Sequence, residues 1–381
     1  MQYSFFKPTK LLFVIFCIML LGCGNNETNK NNSTISINLD KQLKKKIPFS
    51  QIFEEVQIIP LETNKESMIQ KIKKFEIFSN RIYILDKKQK ALLIFDAKGK
   101  FLKKIQSIGK GPQEYLNITD FNVNKNQIEL LTPRGNIVTF DLNGNFINKL
   151  NLKLGKKAVH YFTNISDDLV CFYSLFSKNK ITVYSKSQNK VLYETLEKPT
   201  QFDGTILSPG STPFFNNGEN NLYFDELDRQ VFVPIKKGFI KSSNIDFGKY
   251  NLDYSQLQLE GSALEKHKQI TKLFSKFVIS FLYYKENKDF MVASFGFKEE
   301  YTHLILNKST MGETVFQFFE DKIRFPFNPV NLYHDTLVTT IEPSMLFHYI
   351  PDNDSTVKCN KNLEDFKIND NPVLVKYKLK K

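Results

Sequence analysis

The sequence predicts an all-β chain folded as a β-propeller, and a repeated segment is the main reason. The segment IFDAKGKFLKKI at 94–105 recurs as TFDLNGNFINKL at 139–150, an offset of 45 residues. Upstream, RIYILD at 81–86 matches QIELLT at 127–132 at an offset of 46 residues. A repeat of about 40 to 50 residues built from short β runs is typical of propeller blades.

Length and composition predict one folded body. The chain has 381 residues, 41% of them hydrophobic, with 36 Phe and 16 Tyr. Aromatic side chains favour strands and supply a large core. A repetitive β architecture commonly uses more than about 300 residues as one domain. We therefore predict a single propeller domain, 37–381, behind an N-terminal leader.

Short β runs separated by turn residues predict six blades. The two clear blades align Phe75 with Phe121, and they place Asp96 and Asp141 before a glycine turn. We expect each Asp to accept hydrogen bonds from nearby backbone amides. Beyond Leu150 the repeat weakens, but strand-like runs continue at 169–173, 180–185, 190–195, 221–225, 230–235, 245–248, 277–284, 289–295, 301–307, 332–333, 336–341 and 344–349. Seven blades are the alternative, if the N-terminal segment contains a blade of its own.

The two ends of the domain are predicted to close the ring. Residues 53–61 are rich in β formers and end at Pro60, which lacks an amide hydrogen and suits a strand end or a sheet edge. Residues 371–381 form another strand with alternating apolar positions. Propellers often pair strands from both termini within one blade, so we expect these two segments to take part in closure.

One segment departs from the β pattern. Its apolar residues recur at helical spacing among Glu and Lys; they are Leu264, Ile270, Leu273, Phe274 and Phe277. We predict a short helix inserted between blades at 262–276, with its apolar stripe packed on the body. A lid over the mouth of the ring is the alternative, because long inserts often carry function.

The N-terminus predicts a signal peptide. Lys7 and Lys10 precede 11 unbroken apolar residues at 11–21, a run too short to span a bilayer of about 30 Å as a helix. The LLGC ending at Cys23 resembles the bacterial lipobox, and by that resemblance Cys23 is the lipidated residue and the mature N-terminus. We therefore divide the start of the chain into a lipoprotein signal peptide, 1–22, and an Asn-rich flexible tether, 23–36.

The predicted partner of this terminus is a membrane. Acyl chains contribute about 0.8 kcal/mol per buried methylene, so several chains hold a soluble body on a bilayer that it does not span. Position 24 is Gly, so nothing resembles the acidic retention signal of some inner-membrane lipoproteins. We expect the cell envelope, and the outer membrane within it; the leaflet that faces the folded body stays open.

The positive charge does not predict a nucleic-acid partner. The formal net charge is +13, or +11 after removal of the two leader lysines. The lysines are dispersed, and tight clusters occur only at 44–46 and 376–381, near the two ends. Edge lysines prevent sheet-to-sheet aggregation, so solvated strand edges and turns explain them.

Two cysteines, Cys171 and Cys359, remain after the leader and the lipidated residue are set aside. In an oxidising envelope they could form a disulfide. Buried thiols on strands are the favoured interpretation, because the sequence offers no geometry that brings the two within bridging distance.

No cluster of residues predicts a metal, a cofactor or a catalytic centre. The histidines are scattered, and no second ligand follows at metal-binding spacing; they are His160, His267, His303, His334 and His348. No Gly-x-Ser-x-Gly motif is present. Paired acids at 167–168 and 299–300 could act as acid and base or bind calcium, but they fit solvated turns better.

The stretch IGKGPQEY at 108–115 lies between the two clear blades. It lacks the helix and the Lys-Ser/Thr ending of a phosphate-binding loop, and its position is that of a blade-to-blade crossover on one rim. If a ligand binds, Glu114, Tyr115 and Asn117 are the predicted ligand-binding residues at one edge. The competing interpretation is local: Tyr115 packs between blades and Glu114 bonds nearby amides.

The order Gly-x-Gly-Pro-x-Glu-Tyr, inner strand, Ile-x-Leu strand and Phe-Asp-x-x-Gly-x-Phe resembles NHL-type repeats. It resembles still more the TolB-like six-bladed β-propeller lipoproteins of Gram-negative bacteria. The lipobox, IPLE at 59–62 and NPVL at 371–374 match that family too.

Two functions follow as hypotheses. The resemblance implies a non-catalytic envelope lipoprotein that binds a protein, peptide or glycan partner on a propeller face. The alternative is a lyase or hydrolase with its site in the central funnel, because a fold does not separate the two. Three or more His, Asp, Glu or Arg side chains converging on the axis would favour the enzyme, and an aromatic, uncharged rim would favour binding.

Overall fold

The computed structural model describes residues 33–155, 157–203, 210–320, 330–349, 357–359, 361 and 365–381. These residues form six sheets arranged as a six-bladed β-propeller. The predicted count of six blades is confirmed. The predicted signal peptide, 1–22, and Cys23 lie outside the described residues.

The strands in chain order are β1 (Ser33–Ser36), β2 (Leu43–Ile47), β3 (Phe53–Ile59), β4 (Ile72–Phe78), β5 (Arg81–Asp86), β6 (Ala91–Asp96), β7 (Phe101–Ile105), β8 (Asp120–Val123), β9 (Gln127–Leu131), β10 (Ile137–Asp141), β11 (Phe146–Leu150), β12 (Tyr161–Asn164), β13 (Leu169–Tyr173), β14 (Asn179–Ser185), β15 (Lys190–Glu197), β16 (Phe214–Asn216), β17 (Asn221–Asp225), β18 (Gln230–Ile235), β19 (Gly238–Asp246), β20 (Ile279–Glu286), β21 (Phe290–Phe297), β22 (Glu300–Asn307), β23 (Gly312–Phe319), β24 (Asn331–Tyr333), β25 (Thr336–Ile341), β26 (Val357–Cys359) and β27 (Val373–Leu379). The α-helices are α1 (Leu39–Gln42), α2 (Ala263–Lys272) and α3 (Pro343–Tyr349). Short 3-10 turns occur at Phe49–Gln51, Thr200–Phe202, Gly248–Tyr250, Tyr254–Gln256 and Leu273–Ser275.

Blades 1 to 5 each contain four consecutive antiparallel strands, which begin with β4, β8, β12, β16 and β20. Six hydrophobic clusters lie between neighbouring blades, one at each interface of the ring. Phe75 packs toward blade 6 and its repeat partner Phe121 toward blade 1. The middle strands are buried on both faces because each blade is covered on both sides, which explains the continuous apolar run in β6.

The turn that follows the repeated Phe-Asp is built as predicted. The Asp96 carboxylate accepts hydrogen bonds from the amides of Lys98 and Lys100 at 2.8 and 2.9 Å. The Asp141 carboxylate does the same for residues 143 and 145. Gly99 has a positive φ of 86°, and a Cβ there would lie 1.9 Å from the carbonyl oxygen of Pro60, so the position requires glycine.

The termini close the ring in blade 6, as predicted. β27 pairs antiparallel with β3, with Leu374 opposite Ile59, and on its other side with β25. One predicted strand was wrong, because Ser344–Tyr349 belongs to helix α3. Pro343 suits the first turn of a helix. The third ladder position of this blade is occupied by β27, which left no place for a strand at 344–349.

Three blades have a fifth strand added in parallel at the outer edge. β1 pairs with β19 of blade 4, β2 with β23 of blade 5, and β26 with β3 of blade 6. The predicted tether, 23–36, therefore overlaps a strand at its last four residues. Composition favoured a tether there, but the open edge of β19 supplies the backbone hydrogen bonds that order this segment.

Helix α2 confirms the predicted insert, but its packing differs from the expectation. Ser262 and Glu265 form a reciprocal capping box at its start, which defines the N-terminus. None of its ten residues is buried, and the side chain of Leu264 is 63% exposed. The apolar stripe therefore does not enter the core.

Cys171 is buried, and its thiol is free. Burial raises the pKa of this thiol well above its usual range. A disulfide between Cys171 and Cys359 is therefore not formed.

Candidate functional site

The strand order divides the connections between two rims. Adjacent strands of a blade are antiparallel, so the connections between the second and third strands lie on the same side as the crossovers between blades. We call this side the crossover rim. Its described parts lie within 60–71, 87–90, 106–119, 132–136, 151–160, 174–178, 198–213, 226–229, 247–278, 298–299, 320, 330 and 342–372. The opposite side, the hairpin rim, carries the remaining turns.

Exposed apolar side chains concentrate on the crossover rim. Eleven large ones are exposed in the described part of the chain. Eight lie in its connections or at the strand ends beside them: Met68, Ile108, Leu116, Phe176, Leu264, Tyr301, Phe318 and Ile368. The other three, Leu102, Ile147 and Met311, lie on the hairpin-rim side. Most of the exposed large apolar side chains of the described residues therefore lie on the crossover rim.

The predicted ligand residue Glu114 lies on the crossover rim. Its carboxylate accepts a hydrogen bond from the amide of Gly111 at 2.7 Å, and its carbonyl accepts one from Lys149 Nζ at 2.6 Å. These contacts are local and fasten the crossover to blade 2.

Tyr115 and Asn117 flank an exposed apolar residue. Tyr115 is buried; its hydroxyl donates to the Ile105 carbonyl at 3.3 Å, and burial raises its pKa to about 12. Asn117 is exposed, and its side chain accepts from the amide of Ile118. Leu116, between them, is 57% exposed. Ligand binding by Glu114, Tyr115 and Asn117 stays a prediction.

The inner strands bring a network of polar side chains to the axis of the ring. This network was not predicted from the sequence. Side chains of three inner strands donate to the backbone of the next blade. Asn331 donates to the Phe75 carbonyl at 2.8 Å. Lys74 donates to the Phe121 carbonyl at 2.6 Å, and Asn122 to that of Phe162 at 3.1 Å. These bonds join blades 6, 1, 2 and 3 around the channel.

Lys74 is the centre of this network. Its Nζ lies 2.9 Å from a carboxylate oxygen of Asp120 and 2.9 Å from one of Glu76. Burial alone would lower the pKa of Lys74, but the two carboxylates raise it above its usual range. The ammonium is therefore charged and fully paired.

Asp120 connects three blades. One carboxylate oxygen binds Lys74 of blade 1, and the other accepts from the amide of Phe162 of blade 3 at 3.0 Å. Its side chain is 1% exposed. This carboxylate is thus held by the fold and is not available to a ligand.

Lys285 and Glu76 face the same channel with opposite electrostatic shifts. Burial, and then repulsion by Lys74, lower the pKa of Lys285 to about 7. Burial raises the pKa of Glu76, although Lys74 opposes that shift. The Glu76 side chain is 26% exposed, so it retains access to solvent.

A small cleft opens between blades 3 and 4. Glu226 and the buried ion pair of Lys180 with Asp225 line it. Burial and the negative charge of Asp225 raise the pKa of Glu226 to about 8. A second small cleft lies next to it and is lined by Thr212, Tyr283 and other residues of blades 4 and 5.

Among the described residues no group of three or more His, Cys, Asp or Glu could hold a metal ion. His160 accepts from the Leu175 amide through Nδ1, and burial lowers the pKa of His303 to about 3. In the same part of the chain no helix has the length and apolarity needed to cross a bilayer.

A sequence signal for the channel did exist. The repeat aligns Phe75 with Phe121, so Lys74 and Asp120 occupy equivalent positions on two inner strands. Opposite charges at equivalent positions, each directly before a buried phenylalanine, could have indicated an inter-blade ion pair. Lys285 has no such alignment, because the repeat has decayed in blade 5.

Known structures share this fold. A crystal structure of a protein of Bacteroides fragilis NCTC 9343, provisionally described as exported, superposes with a TM-score of 0.71 at 15% identity, over 92% of this chain and 100% of that one. A member of the DUF4221 family from Bacteroides vulgatus ATCC 8482 has a TM-score of 0.50 at 12% identity, over 86% of this chain and 97% of that one. At such identities the likeness shows the fold alone. No curated protein sequence matches this chain.

The family assignment comes from the sequence. The model of the domain of unknown function DUF4934 matches residues 34–378, which is nearly the whole described propeller. This chain is a member of the DUF4934 family.

Proposed function

We propose that this chain is an exported, lipid-anchored protein of the bacterial cell envelope whose propeller binds a partner protein or peptide across the crossover rim. The observation that carries the binding role is the asymmetry of the two rims: eight of the eleven exposed large apolar side chains lie on one of them.

Single exposed apolar residues are normal on any surface, so the proposal rests on eight of them sharing one rim, where one partner could bury several together. Leu, Met, Ile and aromatic side chains suit a protein or peptide better than a glycan, which needs more polar partners. Phe176, 61% exposed, is the proposed aromatic anchor, because aromatic side chains have a large area to bury in an interface. Leu116 is the proposed second anchor, because it is 57% exposed and lies between the predicted ligand residues Tyr115 and Asn117.

The location rests on the N-terminal sequence. The charged start, the apolar run and the lipobox-like LLGC favour acylation of Cys23, with palmitate among the attached chains, and Gly24 favours the outer membrane. The likeness to a Bacteroides fragilis protein provisionally described as exported supports a location outside the cytoplasm. A TolB-like affiliation within the envelope lipoproteins is part of the same proposal.

An enzyme in the funnel is the second candidate. The opposite pKa shifts of Glu76 and Lys285 are the pattern of an acid and base pair, and they favour it. Against it, the described axis brings together only two carboxylates, Glu76 and Asp120, and both bind Lys74. A reaction abolished by both Lys285→Met and Glu76→Gln would establish the enzyme.

Photo-crosslinking tests the binding face. A photoreactive phenylalanine analogue replaces Leu116 or Phe176 on the crossover rim, and Leu102 or Ile147 as matched controls. The controls are 46% and 48% exposed, so accessibility is similar. In native membranes we expect one common adduct at 116 and 176 and none at 102 and 147. Equal adducts on both rims would contradict the proposal.

Affinity for the captured partner provides the second test. Leu116→Lys is expected to weaken binding on the order of tenfold, since a buried charge replaces an apolar anchor, and Leu102→Lys to leave it unchanged. The anchor is tested separately by mass spectrometry of the mature N-terminal peptide. Acyl groups on Cys23, and their loss with retention of the leader in Cys23→Ser, are the expected result.

A further inference from the structure

The two tight lysine clusters of the sequence both lie at the outer wall of the propeller. The first cluster, 44–46, forms the middle of β2, which is the outermost strand of blade 5. All three of its side chains are exposed. The second cluster, 376–381, covers the end of β27 in blade 6 and the last two residues of the chain.

The fold joins these two clusters across the interface of blades 5 and 6. The ring of Phe49, which follows the first cluster in the chain, lies 6.2 Å from the ring of Tyr377 in the second. The amide of Lys380 donates to the Ile52 carbonyl at 2.8 Å. Segments from opposite ends of the domain therefore place their lysines on one surface. We call the following exposed residues the lysine patch: Lys44, Lys45, Lys46 and Lys380.

The lysine patch carries positive charge that its surroundings do not neutralise. Among the described residues, no carboxylate lies within 4 Å of the four ammonium groups. The nearby acids Glu54 and Asp335 pair with other lysines, Lys378 at 2.5 Å and Lys381 at 3.8 Å. Glu320, whose amide donates to the Ile47 carbonyl, is exposed but supplies a single charge against four.

The patch also follows the proposed lipid anchor closely in the chain. Ser33, where β1 begins, is the tenth residue after Cys23. Ten extended residues span at most about 36 Å. β1 and β2 then run along the outer edges of the neighbouring blades 4 and 5. An acyl group on Cys23 would therefore keep this outer wall within a short distance of the bilayer.

We propose that the lysine patch docks on a bilayer surface that carries anionic phosphate headgroups, so that the outer wall of blades 5 and 6 faces the membrane. This orientation rests on the proposed acylation of Cys23. Each lysine near an anionic bilayer strengthens attachment by about fivefold. The attraction acts over a Debye length of about 8 Å, so it requires the close approach that a short tether provides.

A membrane fits this surface better than an acidic protein does. The exposed apolar side chains that suit a protein partner concentrate on the crossover rim, whereas the patch is cationic and lies on the wall that carries β1. The two rims are the two ends of the ring. Contact through the wall therefore leaves the crossover rim open to a partner that approaches along the membrane.

The test uses the mature chain from residue 24 onward, produced without acyl groups, so that only the protein surface can bind a bilayer. The anionic probe is a vesicle of phosphatidylcholine with about one third phosphatidylglycerol, and the neutral probe is a vesicle of phosphatidylcholine alone. Sedimentation measures the bound fraction. We expect binding to the anionic vesicle that is lost at high salt, and no binding to the neutral vesicle.

Variants then identify the surface. Replacement of the lysines at 44–46 by Gln should weaken binding to the anionic vesicle at least about tenfold, and Lys380→Gln about fivefold. Replacement at 44–46 by Arg should preserve binding, because the charge is kept. A matched control removes the same charge from exposed lysines of blades 2 and 3 and should bind as the wild type does: Lys125→Gln/Lys153→Gln/Lys190→Gln. The replaced side chains are exposed, so melting temperatures should stay unchanged.

Three results would overturn the inference. The first is equal vesicle binding by the patch variants and the control. The second is binding to heparin without binding to the anionic vesicle, which would assign the patch to an acidic polymer. The third is self-association of the Gln variant at 44–46 with unchanged vesicle binding, which would show that these lysines only protect an open strand edge. None of these results depends on Cys23, whose acylation is tested separately by mass spectrometry, so failure of the patch and failure of the anchor are distinguishable.

Discussion

Substitution of Lys74 by Met should strongly destabilise the propeller, because Lys74 pairs with both Glu76 and Asp120 at the axis. Its removal leaves Asp120, 1% exposed, without its counter-charge and deletes the hydrogen bond to blade 2. Glu76 is less affected, since its side chain is 26% exposed and can be solvated or protonated.

The different exposures of Asp120 and Glu76 set the size of the expected loss of stability. Breaking a buried pair by removing one partner costs about 3–5 kcal/mol. Because one of the two carboxylates retains contact with water, we expect the lower end, about 3 kcal/mol. At roughly 2–4 °C per kcal/mol for a large domain, the melting temperature should fall by about 6–12 °C.

Urea unfolding provides the assay. The chain has no Trp, so far-ultraviolet circular dichroism and the fluorescence of its 16 Tyr are the probes. The double variant Lys74→Met/Asp120→Asn removes both charges of the pair, and a double-mutant cycle isolates their coupling. We expect the double variant to recover on the order of 1–2 kcal/mol of the loss predicted from the sum of the single variants.

A loss below about 1 kcal/mol in Lys74→Met would refute this reasoning, since that is the size of a surface ion pair. Strict additivity in the cycle would refute it as well, because it would show that Lys74 and Asp120 do not interact.

Three further predictions concern pH and backbone geometry. The pKa of Lys285 in the folded state, about 7, lies below that of an unfolded lysine, so the unfolded state binds more protons between pH 7 and about 10. The wild type should therefore gain stability relative to Lys285→Met as pH rises through that window, as measured by the midpoints of urea unfolding. The pH dependence expected for Glu226 has the opposite sign, because its pKa in the folded state, about 8, exceeds the unfolded value. The wild type should lose stability relative to Glu226→Gln between about pH 4.5 and 8, by up to ~1.4 kcal/mol per pH unit. A stability difference that does not change with pH would contradict the shift. Gly99→Ala should cost about 1–3 kcal/mol more stability than Gly155→Ala, although both glycines have a positive φ. A Cβ at Gly99 would meet the backbone oxygen of Pro60, whereas no described atom lies within 4 Å of a Cβ at Gly155. Equal decreases in melting temperature would disprove the clash.

The predictability of the fold followed the strength of the repeat. In blades 1 and 2 the twelve-residue match placed the hairpins, and Asp96 and Asp141 cap them as expected. In blade 4 the outer strand was predicted at 245–248, but β19 runs from Gly238 to Asp246. No turn signal other than Gly238 marked its beginning, and the polar residues of its second half obscured the strand pattern.

The wrong secondary-structure predictions share one cause. Whether a short segment forms a strand depends on strands distant in the sequence with which it can pair. Ser344–Tyr349 has apolar residues suited to either a strand or a helix, and the arrival of β27 beside β25 leaves it helical. Ser33–Ser36 has the composition of a tether, and the edge of β19 makes it a strand.

The candidate site depended even more on distant neighbours. Glu114, Tyr115 and Asn117 were selected from a local pattern, and the structure places them on the rim where apolar side chains concentrate. Lys285 was not selected, because a single lysine in an apolar strand acquires significance only when Thr212 and Phe215 are known to lie beside it.

The sequence alone determined the architecture: the period of its repeat and its strand-forming residues require β blades, and its turn residues set where each hairpin reverses. Those properties are local, acting over a few residues, so they can be read from the order of amino acids. Only the tertiary structure decided which face is apolar and which buried lysine lacks a counter-charge. Those properties depend on side chains from different blades, which the closed ring brings together across more than two hundred residues of chain.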